Sequence, residues 1–210
     1  MLARAGLRLN PLLTTGLEGT GSFTGYDERI LNNNWGYSFG GYADWQPGSS
    51  FQVQARAGYA DYLFEQTSQV IRAMDQATWY AGLTLSHAVT KAVSYSLSAG
   101  HELRLGITAD SITDTYVRPS VTWGIIKDVT LTGNLSYEDG QQGSTSQGGG
   151  IAEHYDWFTA GVGASYSPMK RITTSLNYRL TLRSSDAADR GYTQDVIALL
   201  ITYHFPNENN

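Results

Sequence analysis

The chain alternates. Reading back from Phe205, Tyr203, Ile201, Leu199 and Ile197 are apolar or aromatic, while Thr202 and His204 interrupt on the other parity. Segments of the same period recur at residues 15–26, 34–46, 51–63, 77–87, 93–104, 115–125, 129–138, 155–166, 172–183 and 192–205, with polar or glycine-rich breaks between them. Successive side chains of a strand point to opposite faces, so this period predicts antiparallel strands joined as a meander. Helical spacing of apolar residues is nearly absent. The predicted fold is all-β and up-and-down, with about 10 strands in a single domain over residues 1–210.

Strand length and turn length sharpen the class. Ordinary strands run about five or six residues, whereas a tilted strand that crosses a bilayer needs about nine to eleven, and the segments here are of the second kind. Tight connections at 47–49, 88–91, 127–128 and 167–170 trade places with longer ones at 27–33, 64–76, 105–114, 139–154 and 184–191. A membrane barrel with short turns at one rim and long loops at the other predicts that alternation, and a soluble Greek key does not. Residues 141–150, rich in Gly, Ser and Gln, read as a flexible outer loop without a site.

The two parities differ in chemistry. One collects Trp35, Tyr37 and Phe39; Tyr95, Leu97 and Ala99; Leu131, Leu135 and Tyr137; Phe158, Val162 and Tyr166; and Leu176, Tyr178, Leu180 and Leu182. This is the lipid-facing set expected of a transmembrane β-barrel. Trp35, Trp45, Tyr62, Trp79, Trp123, Tyr137, Tyr155, Trp157, Tyr166 and Tyr203 fall near strand ends, where amphipathic rings would form girdles at the lipid headgroups.

The opposite parity places Asp44, Arg56, Glu102, Arg104, Arg118, Asn134, Glu138, Asn177, Arg179 and Arg183 on a polar face that would line a pore. Mixed signs predict weak ion selectivity. The same groups, paired across a narrow interior, would plug a small barrel instead, because lumen width grows with strand number.

Composition agrees with an ordered, aromatic-rich β protein: 23 Gly, 14 Tyr, 5 Trp and 5 Pro in 210 residues. A mean hydropathy of −0.29 is compatible with a barrel, in which every second residue faces water. No window approaches the roughly 18 uninterrupted apolar residues of a spanning helix. The absence of cysteine suits an oxidising compartment, and a net charge of −5 without a basic tract argues against nucleic acid as a partner.

Arg4 and Arg8 interrupt the apolar core that a signal peptide would need, which predicts either a mature chain given a new Met or, as the favoured reading, a chain that begins inside a longer gene. Residues 3–9 also alternate; counted as a strand they give 11, as part of a larger barrel whose amino-terminal strands are absent.

Ile172-Thr173-Thr174-Ser175-Leu176-Asn177-Tyr178, Arg183-Ser184-Ser185-Asp186 and Tyr192-Thr193-Gln194-Asp195-Val196, leading into Ile201-Thr202-Tyr203-His204-Phe205, resemble the carboxy-terminal portion of the beta-barrel porin 2 family of outer-membrane proteins. The resemblance is one of strand pattern over most of the chain. It implies an outer-membrane porin without catalytic residues, with membrane lipid and the barrel assembly machinery as partners, and an association with exopolysaccharide secretion. The polar tail at 206–210 after the final Phe departs from that pattern.

Catalysis finds little support. His87, His101, His154 and His204 lack a clear partner set, and His154 with Glu153 and Asp156 at the outer rim is the one arrangement in which a hydrolase or cation site can be drawn. Ser86-His87 and His101-Glu102 are neighbours that a strand sends to opposite faces. No cofactor or metal is expected. The reading is a porin-like barrel that passes polar solutes or secreted polysaccharide. Its alternatives are a closed structural or adhesive barrel acting through its loops, and a rim hydrolase using His154 and Asp156.

Overall fold

The computed structural model describes residues 1–27, 31–69, 75–105, 111–142, 153–169, 171–203 and 205. Most of the expected flexible loop (143–150), His204 and the tail at 206–210 lie outside the described residues.

Every regular element among the described residues is a strand: β1 (Leu2–Asn10), β2 (Leu13–Thr24), β3 (Asn33–Gly48), β4 (Phe51–Glu65), β5 (Gln76–Ala88), β6 (Val93–Leu105), β7 (Ser111–Ile126), β8 (Val129–Gln142), β9 (Glu153–Met169), β10 (Ile172–Ser185) and β11 (Tyr192–Tyr203). Each pairs antiparallel with the next, in chain order, in one sheet of 11 strands. Of the two expected counts, about ten or eleven, the described residues form eleven. Residues 3–9 do form a strand, held to β2 by pairs from Leu2–Thr20 to Asn10–Leu13.

The β1–β2, β3–β4, β5–β6, β7–β8 and β9–β10 connections are short and share one rim, while all the longer loops lie at the other. Lys127-Asp128 turns β7 into β8 with Asp128 at a φ of 66°, a left-handed conformation that Asp tolerates because its short side chain can bond locally. At the loop rim, Asn32 Oδ1 accepts the Thr67 and Ser68 amides at 3.0 and 2.8 Å, which latches the β2–β3 loop to the β4–β5 loop.

The strands are tilted. One lateral row of paired residues runs Gly6, Gly16, Tyr42, Arg56, Gly82, Gly100, Tyr116, Glu138, Trp157, Arg183, Tyr192. It starts in the middle of β1 and ends at the first residue of β11, the stagger that a sheet must have to curl into a barrel. Among the described residues the sheet is open: no pairing joins β1 to β11.

The face opposite that row is apolar and bare. Phe39, Tyr59, Val117, Val162, Leu176, Ile197 and Leu199 are all exposed. Contiguous apolar surface on this scale is not stable against water and marks a face made for lipid. Trp45, Phe51, Tyr95, Trp123, Tyr166 and Tyr203 border it toward the turns, and Trp35, Tyr37, Tyr59, Trp79, Tyr137 and Phe158 toward the loops. Phe158 to Tyr166 spans about 27 Å of extended strand, about 20 Å across the membrane at the usual tilt, so that the two aromatic borders lie within an apolar band of about 25 Å.

Three of the expected girdle residues are corrected. Tyr62, Tyr155 and Trp157 point to the polar face, where Tyr62 packs against Gly36 and Tyr155 is buried against Gly140.

Candidate functional site

Asp44, Arg56, Glu102, Arg104, Arg118, Asn134, Glu138, Asn177, Arg179 and Arg183 share the polar face, as the register of the nine inner pairings requires. This face is concave. Side chains two and three strands apart meet across it: Arg56 with Glu102 past β5, Tyr80 with Glu18 past β3 and β4, Arg104 with Tyr155 past β7 and β8. On the apolar face the ring contacts and hydrogen bonds join adjacent strands, as in Phe23–Trp35, Trp79–His101 and Tyr137–Asp156.

Glycine makes these long reaches feasible. A Cβ at Gly58 would lie 2.7 Å from the Tyr80 ring, and one at Gly40 would collide with its hydroxyl, so the ring lies flat over two neighbouring strands and donates to Glu18 Oε1 at 3.1 Å. Tyr155 repeats the device over Gly140 and touches Arg104 Nη2 at 3.3 Å. Tyr42 over Gly6 and Tyr116 over Gly100 complete a band of inward tyrosines, each leaning toward a lower-numbered strand.

Arginines stack on those rings. Arg4 lies over Tyr42 at 4.9 Å, Arg56 over Tyr80 at 5.9 Å, Arg118 over Tyr116 at 4.1 Å and Arg183 over Tyr155 at 4.8 Å. The guanidinium is thereby fixed by cation–π attraction while its fork turns to a carboxylate. Arg4 pairs with Glu18 at 2.7 Å, Arg56 with Glu102 at 3.6 Å, Arg104 with Asp114 at 3.1 Å and Glu138 at 3.7 Å, and Arg118 with Glu138 at 2.7 Å. The result is a belt around the concave wall in which opposite charges alternate.

The belt closes at the loop rim on Glu153. This carboxylate is fully buried and accepts from Arg183 Nη2 at 2.6 Å, Arg190 Nη1 at 2.6 Å and Ser185 Oγ at 2.7 Å. Glu153 lies beyond the loop-side aromatic row, outside the apolar band. Burial alone would raise its pKa; the Ser185 and Arg190 hydrogen bonds and the two guanidinium charges outweigh that and hold it below the ordinary carboxylate value.

The rim trio drawn from sequence does not assemble. Glu153 turns to the concave face, and His154 faces the other way, with its Nε2 2.9 Å from Asp139 Oδ2. That hydrogen bond, helped by the Asp139 charge, raises the His154 pKa above its ordinary value. Asp156 instead accepts from the Tyr137 hydroxyl at 2.5 Å. His101 stacks on Trp79 with ring centroids 3.9 Å apart, and His87 meets the Tyr95 hydroxyl at 3.1 Å, so both serve the apolar face as interfacial rings. His204 lies outside the described residues.

Sequence reasoning missed Arg4, Glu18 and Asp114 and assigned Glu153 to the rim trio instead of the belt; these residues carry four of the belt's seven pairs. Asp114 and Glu153 each fall within two residues of a predicted strand end, so extending the strand parity outward would have found them.

No family model matches the sequence, and no curated protein does. Solved structures match the fold. The outer membrane channel DcaP of Acinetobacter baumannii superposes with a TM-score of 0.69 and 13% identity, over 97% of this chain and 62% of that chain. The fold shared with that channel is an antiparallel up-and-down transmembrane β-barrel wall. The copper transporter OprC matches with a TM-score of 0.52 and 12% identity, over 91% of this chain and 37% of that one. The chain thus spans less than two thirds of either protein, and the likeness at these identities is one of fold.

Proposed function

We propose that this chain forms the wall of a porin-like channel in the bacterial outer membrane and gives passive passage to small polar solutes. The observation that carries the reading is the opposition of the two faces. An exposed apolar band with aromatic borders backs a concave face that bears the alternating charges of Arg56, Glu102, Arg104, Arg118, Glu138 and Arg183. Asp44, Asn134, Asn177 and Arg179 complete the proposed pore lining.

A belt of paired charges lets water and hydrated solutes exchange hydrogen bonds with the wall, and its near-neutrality gives weak selection by sign. Eleven strands already exceed the eight at which side chains fill a barrel interior. Four of the inward rings favour small solutes over a polysaccharide: Tyr42, Tyr80, Tyr116 and Tyr155 each lie on glycine and carry an arginine on the ring, which leaves them little free face for a sugar to stack on.

The free edges of β1 and β11 belong to the proposal as well. In lipid every unpaired backbone group costs several kcal/mol. With eleven strands in up-and-down order, β1 and β11 run in the same direction, so an odd number of further antiparallel strands between them closes the wall. Membrane lipid and the barrel assembly machinery are the partners this reading requires.

Reconstitution of the full chain in planar bilayers tests it. Stepwise conductance is expected, with the reversal potential in a salt gradient shifting toward cations in Arg118→Glu. A folded, membrane-inserted protein without conductance would sink the channel reading and favour a closed barrel acting through its loops.

A further inference from the structure

Toward the turn rim, from β6 to β11, the concave face loses its charges but for one. Two adjacent rows run Ser96, Ser120, Asn134, Gly161, Arg179, Val196 and Ser94, Thr122, Thr132, Gly163, Asn177, Ala198. Because β9 offers only Gly161 and Gly163 here, the wall sinks to a trough of about 490 Å³, within the usual size of a small-molecule site. Asn134 and Asn177 fold over those glycines, where an added Cβ would collide with their amides.

Arg179 stands apart from the other arginines of this face. Arg4, Arg56, Arg104, Arg118 and Arg183 each hold a carboxylate, and Arg8 donates to the Pro11 carbonyl at 2.9 Å. Among the described residues Arg179 has no hydrogen bond, ion pair or ring contact, and no acidic side chain shares its row. Beside it the concave face of β11 turns apolar at Val196 and Ala198, where neighbouring strands present hydroxyls and amides.

We infer that this trough binds a small amphiphilic carboxylate. The Arg179 fork takes the carboxylate, for which its two parallel N–H groups are shaped. Val196 and Ala198 cover the apolar part, and the Asn134 and Asn177 amides meet polar substituents. The inference deepens the channel reading and rests on it for its meaning in transport.

Benzoate is the probe, with benzamide as its uncharged counterpart. Calorimetric titration of the detergent-folded full chain is expected to show benzoate binding, with benzamide at least about tenfold weaker, the loss of one charge-assisted contact. Arg179→Gln should weaken benzoate by a similar factor, and Arg8→Gln, which removes a concave arginine outside the trough, should leave it unchanged. Absent benzoate binding, equal affinity for benzamide, or equal losses in the two variants would overturn the site.

Bilayer recordings separate the two claims. Conductance that benzoate interrupts in the natural protein but not in Arg179→Gln supports both. Conductance without benzoate interruption leaves the channel and removes the site. Arg179-dependent benzoate binding without conductance retains the site and removes the channel.

Discussion

Glu153→Gln isolates the electrostatics of the loop rim. The substitution keeps the shape of the side chain and removes the charge that Arg183 and Arg190 share at 2.6 Å each, while the amide can still bond the Ser185 hydroxyl, now 2.7 Å away. Breaking a fully buried pair costs about 3–5 kcal/mol because it strands an uncompensated charge. Here the guanidiniums keep some water, at 14% and 29% exposure, and Arg183 retains its seat on Tyr155. The expected loss is therefore about 2–3 kcal/mol, just below that range.

Urea unfolding in detergent micelles, followed by tryptophan fluorescence, reads it as a lowered midpoint at unchanged slope. The pH dependence has a definite sign. The pKa of Glu153 is lowered in the folded state, so its contribution is complete above the ordinary carboxylate value of 4.5 and is lost as pH falls through the depressed folded value. The natural protein and the variant should thus differ most at neutral pH and converge in acid. A coupling between Glu153→Gln and Arg190→Gln of at least about 0.5 kcal/mol is expected for groups in direct contact. Additive losses, or a difference that persists unchanged at low pH, would refute the reasoning.

Other expectations follow from the same geometry. Gly140→Ala, whose new methyl has its three nearest neighbours all in Tyr155, should destabilise by about 1–3 kcal/mol, and Tyr155→Ala in the same chain should relieve most of that clash, measured by the same urea midpoints. Val162→Arg on the exposed apolar band should cost about 2–4 kcal/mol or block insertion into liposomes, whereas Ser94→Arg on the concave face should insert normally. The His154 ring should titrate above its ordinary 6.5 in proton NMR, and Asp139→Asn should lower that midpoint.

Much of the fold was legible because period two survives without alignment. The long strands, the alternating turns and the two faces follow from apolar positions at every second residue, and the ten polar residues expected to share a face do share one. Strand ends were harder. Asp114 and Glu153 lie where the apolar parity has run out, so only an outward extension of the polar parity marks them as still paired. Tyr62, Tyr155 and Trp157 were placed in the girdles because position near a strand end was allowed to outweigh parity.

The charged belt itself was only half readable. Which arginine meets which carboxylate depends on lateral register, and register places Tyr80 over Gly58 and Gly40 or Tyr155 over Gly140. Glycines that read as generic aids to curvature thus turn out to have named occupants. Arg179 looked like its neighbours in sequence and differs from them only in what lies beside it.

The most direct test of a water-lined concave face uses the absence of cysteine in the chain. Single cysteines placed in turn from Leu131 to Tyr137 along β8, in protein inserted into liposomes, would be exposed to a water-soluble maleimide. The account predicts alternating labelling: Thr132, Asn134 and Ser136 positions react, and Leu131, Gly133, Leu135 and Tyr137 positions do not. Uniform protection, uniform labelling or the opposite alternation would contradict a polar lumen backed by a lipid-facing wall.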